Sequence, residues 1–365
     1  MSVSLRDQTS PDWKIRMRKV NACLCLLLLF ATVAVAGAQQ APWPIRAVIV
    51  TTFEVGSDTG DVPGEFQFWV EREHLDETLD FPGGVHAIRT NAEHTVLGIV
   101  SGTTLVNATA SLMALGLDPR FDLTHAYWLI NGIAGVDPND ASIGSAAWAT
   151  YVVSDVAREI DAREIPPAWP YGLFPVGAKA PNPHANTDNN WSRSNLYPLN
   201  ARLTDWAFSQ TRNLKLVDDP KVAAYRVKWI GYPQAQRPPF VLKGDSFASD
   251  YYWHGKIMTQ YANDWVQLYT KGQGNFVMTN MEDSGFAEAL TRLDRMHRVD
   301  FARVMVLRTG SNECMPQPGE TPVQSISKPY IGSLPALESA WLVGSTVLHQ
   351  ILANWPQYAD HVPGG

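Results

Sequence analysis

The stretch FVMTNMEDSGF at residues 276–286 drives an apolar run straight into Met281, Glu282 and Asp283, just before a helical pattern begins. Acid at the end of a buried strand needs a reason. One is helix capping: Asp283 or Ser284 can accept backbone N–H bonds at a helix start, where negative charge also complements the helix dipole. Other apolar runs end in small and polar residues too, at Ser101-Gly102-Thr103-Thr104, at Gly132-Ile133-Ala134-Gly135 and at Arg308-Thr309-Gly310-Ser311-Asn312. Each alone is ordinary turn chemistry. In open α/β sheets, however, ligands bind at the carboxyl ends of strands, so the four ends together outline one site.

The elements that must carry these ends are legible from patterning. Short runs rich in Val, Ile and Tyr recur at residues 46–53, 95–102, 126–135, 276–282 and 303–311, and read as buried strands. Helical patterns lie between them, among them NATASLMALGLD, GFAEALTRLDRM and PALESAWLVGSTVLHQILANW. This alternation predicts a three-layer α/β/α fold around a central mixed sheet, as one domain over residues 39–365. Residues 166–198 are dense in Pro, Asn and Gly, which disfavours ladders and helices alike, and predict a long irregular excursion within it.

Bulk features exclude several classes. Lys14, Arg16, Arg18 and Lys19 precede the apolar run CLCLLLLFATVAVA, which ends in Ala36-Gly37-Ala38, the pattern of a secretory signal peptide over residues 1–38. Its apolar run is shorter than the roughly 20 residues a spanning helix needs. Without it, 24 Lys and Arg face 34 Asp and Glu, a net charge of −10, which argues against nucleic acid as a partner. Only Cys314 would remain, so no internal disulfide can form. The nine histidines show no HxH, HxxxH or HExxH spacing, and no GxGxxG or GxxxxGKS loop occurs; no metal and no bound cofactor are expected.

The order and spacing of IVTTFE, VSGTTLVNATA, LINGIAGVDPNDASIGSAAWATYVVSDVAREIDARE, GDSFASDYYWHG, TNMEDSG and LRTGSN resemble the purine nucleoside permease family over nearly the whole chain after the signal. That family's fold is similar to that of nucleoside phosphorylases and nucleosidases. The resemblance implies that Met281 and Glu282 lie under a ribose, with the carboxylate accepting bonds from two adjacent hydroxyls and the thioether as an apolar floor. Phe247 falls where related enzymes contact the base, and is either a stacking ring or a core Phe. Ser101, Gly102 and Thr103 either present hydroxyls and N–H groups to phosphate, sugar or water, or form a plain strand-to-helix turn. Gly135 and Arg308 belong to the same strand-end set.

Two departures matter. Nucleosidases and one phosphorylase branch are similar in carrying an acid where this chain has Asn312, which can donate a hydrogen bond to a leaving purine but cannot hand over a proton. A second phosphorylase branch uses asparagine there. After the first strand, FEVGSD does not reproduce the acidic run with which nucleosidases activate water, and Glu54 or Asp58 stand as substitutes.

The expected function is therefore purine nucleoside binding with cleavage of the N-glycosidic bond, by water or by phosphate as a co-substrate. The alternatives are a non-catalytic binding protein that serves a membrane transport partner, and a phosphorylase-like scaffold whose pocket has been lost. Export and a homo-oligomeric assembly are expected as well. N-terminal sequencing of the mature chain should read from near Gln39; recovery of the intact chain only from detergent-extracted membranes would overturn the signal-peptide reading.

Overall fold

Strands form where β-branched and aromatic residues run without a polar break, because a sheet covered on both faces needs apolar side chains pointing both ways. In the computed structural model, which describes residues 41–165, 171–177, 185 and 192–365, these runs become Ala47–Thr51 (β1), Val96–Val100 (β2), Tyr127–Val136 (β3), Ala146–Trp148 (β4), Tyr151–Ser154 (β5), Asp245–Ala248 (β6), Phe276–Asn280 (β7) and Val304–Glu313 (β8). The covering helices are α1 (Gln67–Arg72), α2 (Thr104–Leu117), α3 (Ala201–Thr211), α4 (Pro220–Arg226), α5 (Lys256–Tyr269), α6 (Asp283–Arg295), α7 (Pro322–Ile326) and α8 (Ser333–Ala353).

β3 is the hub of the sheet. Its first half runs parallel to β1, from Ala47 opposite Tyr127 to Val50 opposite Ile130. Its far end meets β7 antiparallel, with Thr279 opposite Gly135 and Met278 opposite Val136. β8 runs parallel along its whole length, from Val304 opposite Trp128 to Glu313 opposite Val136, with a bulge between Gly310 and Asn312. A bulge changes which way the following side chains point, and this one lies immediately before Asn312. β6 is parallel to both β7 and β5.

The period of two along each strand divides the apolar side chains between two faces. Val48, Val50, Leu97, Ile99, Trp128 and Ile130 pack with Leu112 and Leu115 of α2 and with Phe286, Leu290 and Leu293 of α6. Ala47, Ile49, Tyr127, Leu129, Met305 and Leu307 pack with Trp69, Leu203, Val343 and Val347 from α1, α3 and α8. The expected α/β/α layering around a mixed sheet is what forms, and residues 43–365 make up one compact unit.

The excursion needs correction. Leu173–Pro175 pairs antiparallel with Ala157–Glu159, and Leu196–Pro198 pairs antiparallel with β5, so parts of residues 166–198 do join ladders. Proline is tolerated at the ends of these short edge strands, where a missing N–H faces away from the partner. Residues 166–170, 178–184 and 186–191 of the excursion, and residues 1–40 with the expected signal segment, lie outside the described residues.

α6 enters close beneath α2. A Cβ on Gly285 would lie 2.6 Å from the Leu105 carbonyl oxygen and 2.9 Å from Thr109 Oγ1, so the first turn of α6 abuts the backbone of α2. Gly285→Ala should cost about 1–3 kcal/mol of stability by overpacking, read as a lower denaturant midpoint with an unchanged slope. A neutral or stabilising result would mean that the helices separate without cost.

Candidate functional site

Halfway along β8 rather than at the strand end expected for it, and against the β7–α6 junction, Arg308 is the central charge. Its side chain is only 1% exposed, and burial of a guanidinium is tolerable only with its charge and donors met. Nη2 and Nε donate to Asp283 Oδ1 at 2.6 and 3.1 Å, and Nη1 donates to the Ile133 carbonyl at 3.4 Å. Glu282 Oε2 lies 3.6 Å from Nη2, and Glu65 Oε1 lies 4.0 Å from Nη1. Burial opposes the charge, and the three carboxylates outweigh it, holding Arg308 protonated above its ordinary range.

The acids at the end of β7 divide the labour. Asn280, not Asp283 or Ser284, caps α6: its Oδ1 accepts from the backbone N–H groups of Glu282 and Asp283 at 3.1 and 2.9 Å. Asp283 is sealed in the core, accepting from Ser246 Oγ at 2.6 Å and Asn280 Nδ2 at 2.9 Å besides Arg308. Glu282, just past the end of β7 and next to the cavity-lining Met281, is buried too, at 5% exposure. Its Oε1 accepts from Thr104 N at 3.2 Å and its Oε2 from Met281 N at 3.1 Å. A carboxylate has about four lone-pair positions, so two remain for a ligand. Burial pushes its pKa up, and Arg308 and the Thr104 N–H oppose that. Thr104 holds φ at +79°, an uncommon conformation for a β-branched residue, and in it the N–H meets the carboxylate.

Asn312 stands beyond Met281. Its Oδ1 accepts from Ser311 Oγ at 3.0 Å, and its Nδ2 donates to Tyr252 Oη at 3.3 Å and to the Glu313 carbonyl at 3.1 Å. Gly135 makes room for Thr279 on the neighbouring strand, whose Cγ2 would lie 2.9 Å from a Cβ there, while Asn312 Nδ2 would be in ordinary contact at 3.5 Å. Met281, Gly135 and Asn312 share a cavity of about 30 Å³ that Tyr251, Tyr252 and Trp253 close over.

Several sequence candidates take other roles. Glu54 is not available to activate a nucleophile: its carboxylate accepts from the N–H groups of Val55, Gly64, Phe66 and Gln67, so it caps the start of α1. Asp58 pairs with His86 at 3.2 Å and Arg89 at 3.9 Å rather than with Glu282 or Asn312. Phe247 is the core residue of its two readings, fully buried and edge-on to Tyr261, Trp253 and Phe276. Ser101 is buried as well, its hydroxyl turned back onto the Gly102 carbonyl. Gly102, at φ +81°, makes the turn, and Thr103 precedes α2 in extended backbone with no side-chain cap bond. Among the described residues, no group of three or more His, Cys, Asp or Glu side chains is placed to hold a metal ion.

Glu65 was not foreseen. It accepts from Thr52 N and Oγ1 and from Ile133 N, all at 2.7 Å, fixing β1 and β3 beneath the Arg308 cluster. Burial pushes its carboxyl up from the usual 4.5 to about 7, with Arg308 opposing. An acid embedded in the apolar run EFQFWV was the available signal.

The strand-end site and the layered mixed sheet define a nucleoside phosphorylase-like fold. The chain matches a 5′-methylthioadenosine/S-adenosylhomocysteine nucleosidase of Helicobacter pylori with a TM-score of 0.50, covering 84% of this chain and 99% of that one at 14% identity. A mutant of the same enzyme with 5′-methylthioadenosine in its active site also matches at TM-score 0.50, with 16% identity over 84% of this chain and 99% of that one. These likenesses are of fold. The purine nucleoside permease (NUP) family model matches residues 44–363, and the chain belongs to that family. A purine nucleoside permease of Candida albicans is 31% identical over 328 residues, 87% of this chain and 78% of that one. A probable purine nucleoside permease of Schizosaccharomyces pombe is 30% identical over 276 residues, 73% of this chain and 79% of that one.

Glu65 generates a pH dependence. Its folded-state pKa lies above its ordinary value, so the folded chain binds more protons between about 4.5 and about 7, and its contribution to stability declines as pH rises through that window. Glu65→Gln cannot titrate and should flatten that decline in urea unfolding curves. An identical pH profile in the variant would place the titration elsewhere.

Proposed function

We propose that the site binds a purine nucleoside across the ends of β7 and β8 and cleaves its N-glycosidic bond. The observation that carries this reading is Glu282: a buried strand-end carboxylate beside Met281, held by Arg308 and two backbone N–H groups, with acceptor capacity left for a vicinal diol. Met281 would lie against the sugar face, and Asn312 Nδ2 would exchange its Tyr252 partner for the base. In the reaction the C1′–N9 bond breaks, its electron pair leaves with the base, and an oxygen of water or phosphate bonds to C1′. An amide donor near N7 stabilises the charge growing on the base, and the proton that the base finally takes comes from solvent. Cleavage on this reading takes place outside the cytoplasm.

A second reading has the chain bind the nucleoside and deliver it to a membrane partner. The family description and the inability of the Asn312 amide to transfer a proton favour it. Among the described residues, no helix is long and apolar enough to cross a membrane.

Incubating the mature protein with inosine, adenosine or guanosine, with and without phosphate, should release free base; bound but intact nucleoside in every mixture would select the delivery reading. Under either reading, Glu282→Ala should cost on the order of 2–4 kcal/mol of nucleoside affinity or transition-state stabilisation, and equal binding of ribosides and 2′,3′-dideoxyribosides by the wild type would remove Glu282 from the sugar. Asn312→Ala should lower kcat roughly 10²-fold with a smaller loss of affinity if the bond is cleaved.

A further inference from the structure

Asn312 also borders a second, larger cavity, of about 320 Å³, whose walls include Tyr225, Tyr252, His254, Glu313 and Gln317. Glu313 is 4% exposed, and its Oε1 has no partner among the described residues although the Tyr225 hydroxyl donates to the carboxyl group. Gln317 Oε1 and both ring nitrogens of His254 are likewise buried without partners. Buried polar atoms are nearly always paired, so four unpartnered ones on residues lining a single cavity mark a place where a polar molecule completes the bonding. The volume lies at the small end of ligand pockets, suited to a heterocycle rather than to a large cofactor. Lys228 and Lys328 also line the cavity, with Lys328 engaged by Glu320.

We propose that this cavity is the nucleobase subsite, and that the Glu313 carboxyl group reads the hydrogen-bonding edge of the purine's six-membered ring. The proposal rests on the purine nucleoside reading and places the ring past Asn312, with the ribose on the Met281 side. A protonated carboxyl group presents a donor and an acceptor side by side. The N1 and C6-substituent edge of adenine presents the complementary pair, an acceptor at N1 and a donor at the amino group. An ionised carboxylate has no donor for N1 and would leave that edge half-satisfied in a buried site.

Burial supports the protonated form by pushing Glu313 up from 4.5 to about 8. The titratable groups around it are Tyr225 from α4, Lys228 just beyond that helix, Tyr252 and His254 between β6 and α5, Lys328 and Tyr330 beyond α7, and Cys314 next along the chain. Burial pushes Tyr225, Tyr252 and Cys314 up and His254 down, away from the region near pH 8 to which it brings the Glu313 carboxyl.

Calorimetric titration of the full mature chain with adenine and with adenosine, from about pH 6.5 to about pH 9.5, tests this. Wild-type affinity should hold below about pH 8 and fall toward tenfold per pH unit above it. Glu313→Gln keeps a donor beside an acceptor but does not titrate; it should bind within a few-fold of wild type with a flat profile. Glu313→Leu should lose about tenfold or more at neutral pH. A flat wild-type profile, or a glutamine variant that titrates like wild type, overturns the proposal. Adenosine binding that Glu282→Ala abolishes and Glu313→Leu leaves intact overturns the subsite while sparing the nucleoside reading. Failure of both ligands to bind wild type overturns that reading and the subsite with it.

Discussion

A guanidinium with almost no access to water sits in the middle of this molecule, and the arrangement around it follows from that fact. Arg308 meets Asp283 directly, with Glu282 and Glu65 at 3.6 and 4.0 Å. Coulombic attraction in such a setting repays desolvation only when geometry and hydrogen bonding are both satisfied. The protein meets that condition by bringing β8, the β7–α6 junction, the end of β1 and the segment before α1 to one point. One cation among three acids still leaves an excess of negative charge. Burial raises both Glu65 and Glu282, so the cluster relieves part of the excess by holding on to a proton, and Glu65, raised to about 7, shares in it near neutrality.

That arrangement separates scaffolding from exposure to ligand. Asp283 and Glu65 are consumed inward, by hydroxyls, backbone N–H groups and the guanidinium. Glu282 is buried as well, but it keeps part of its accepting capacity unspent. Asn312 is held by its own neighbours and by one long bond to an exposed tyrosine, the weakest of its contacts and the simplest to exchange.

The layers and the strand ends were legible in the sequence because buried parallel strands must be continuously apolar and because function gathers at their carboxyl ends. Glu282, Arg308 and Asn312 could be singled out on that ground; Glu282 follows the end of β7 and Asn312 lies near the end of β8, while Arg308 is halfway along β8 and reaches the β7–α6 junction through its side chain. What could not be read was which acid pairs with which donor. Glu54 and Glu65 flank the same loop, and only the folded chain shows that the first caps α1 while the second reaches 68 positions along the chain to Ile133. Phe247 was ambiguous for a similar reason: alternation along β6 fixes which face a side chain takes, but not whether that face meets a cleft or the aromatic helix α5. Glu313 was invisible because its neighbour Asn312 drew the chemical argument, and the bulge between them and Gly310 has no sequence signature.

The strand that carries Arg308 is the last to be synthesised, yet it lies against the full length of the hub strand β3. Until it is present, β3 lacks one neighbour and three acids lack their cation, so a chain stopped at Arg303 has a slot through its sheet and unbalanced charge beside it. Contacts between such distant parts of a chain slow folding and tie it to completion of the whole. The consequence is temporal: the site cannot be assembled piecemeal as the polypeptide emerges, and the Arg308 cluster appears only in the same event that closes the sheet.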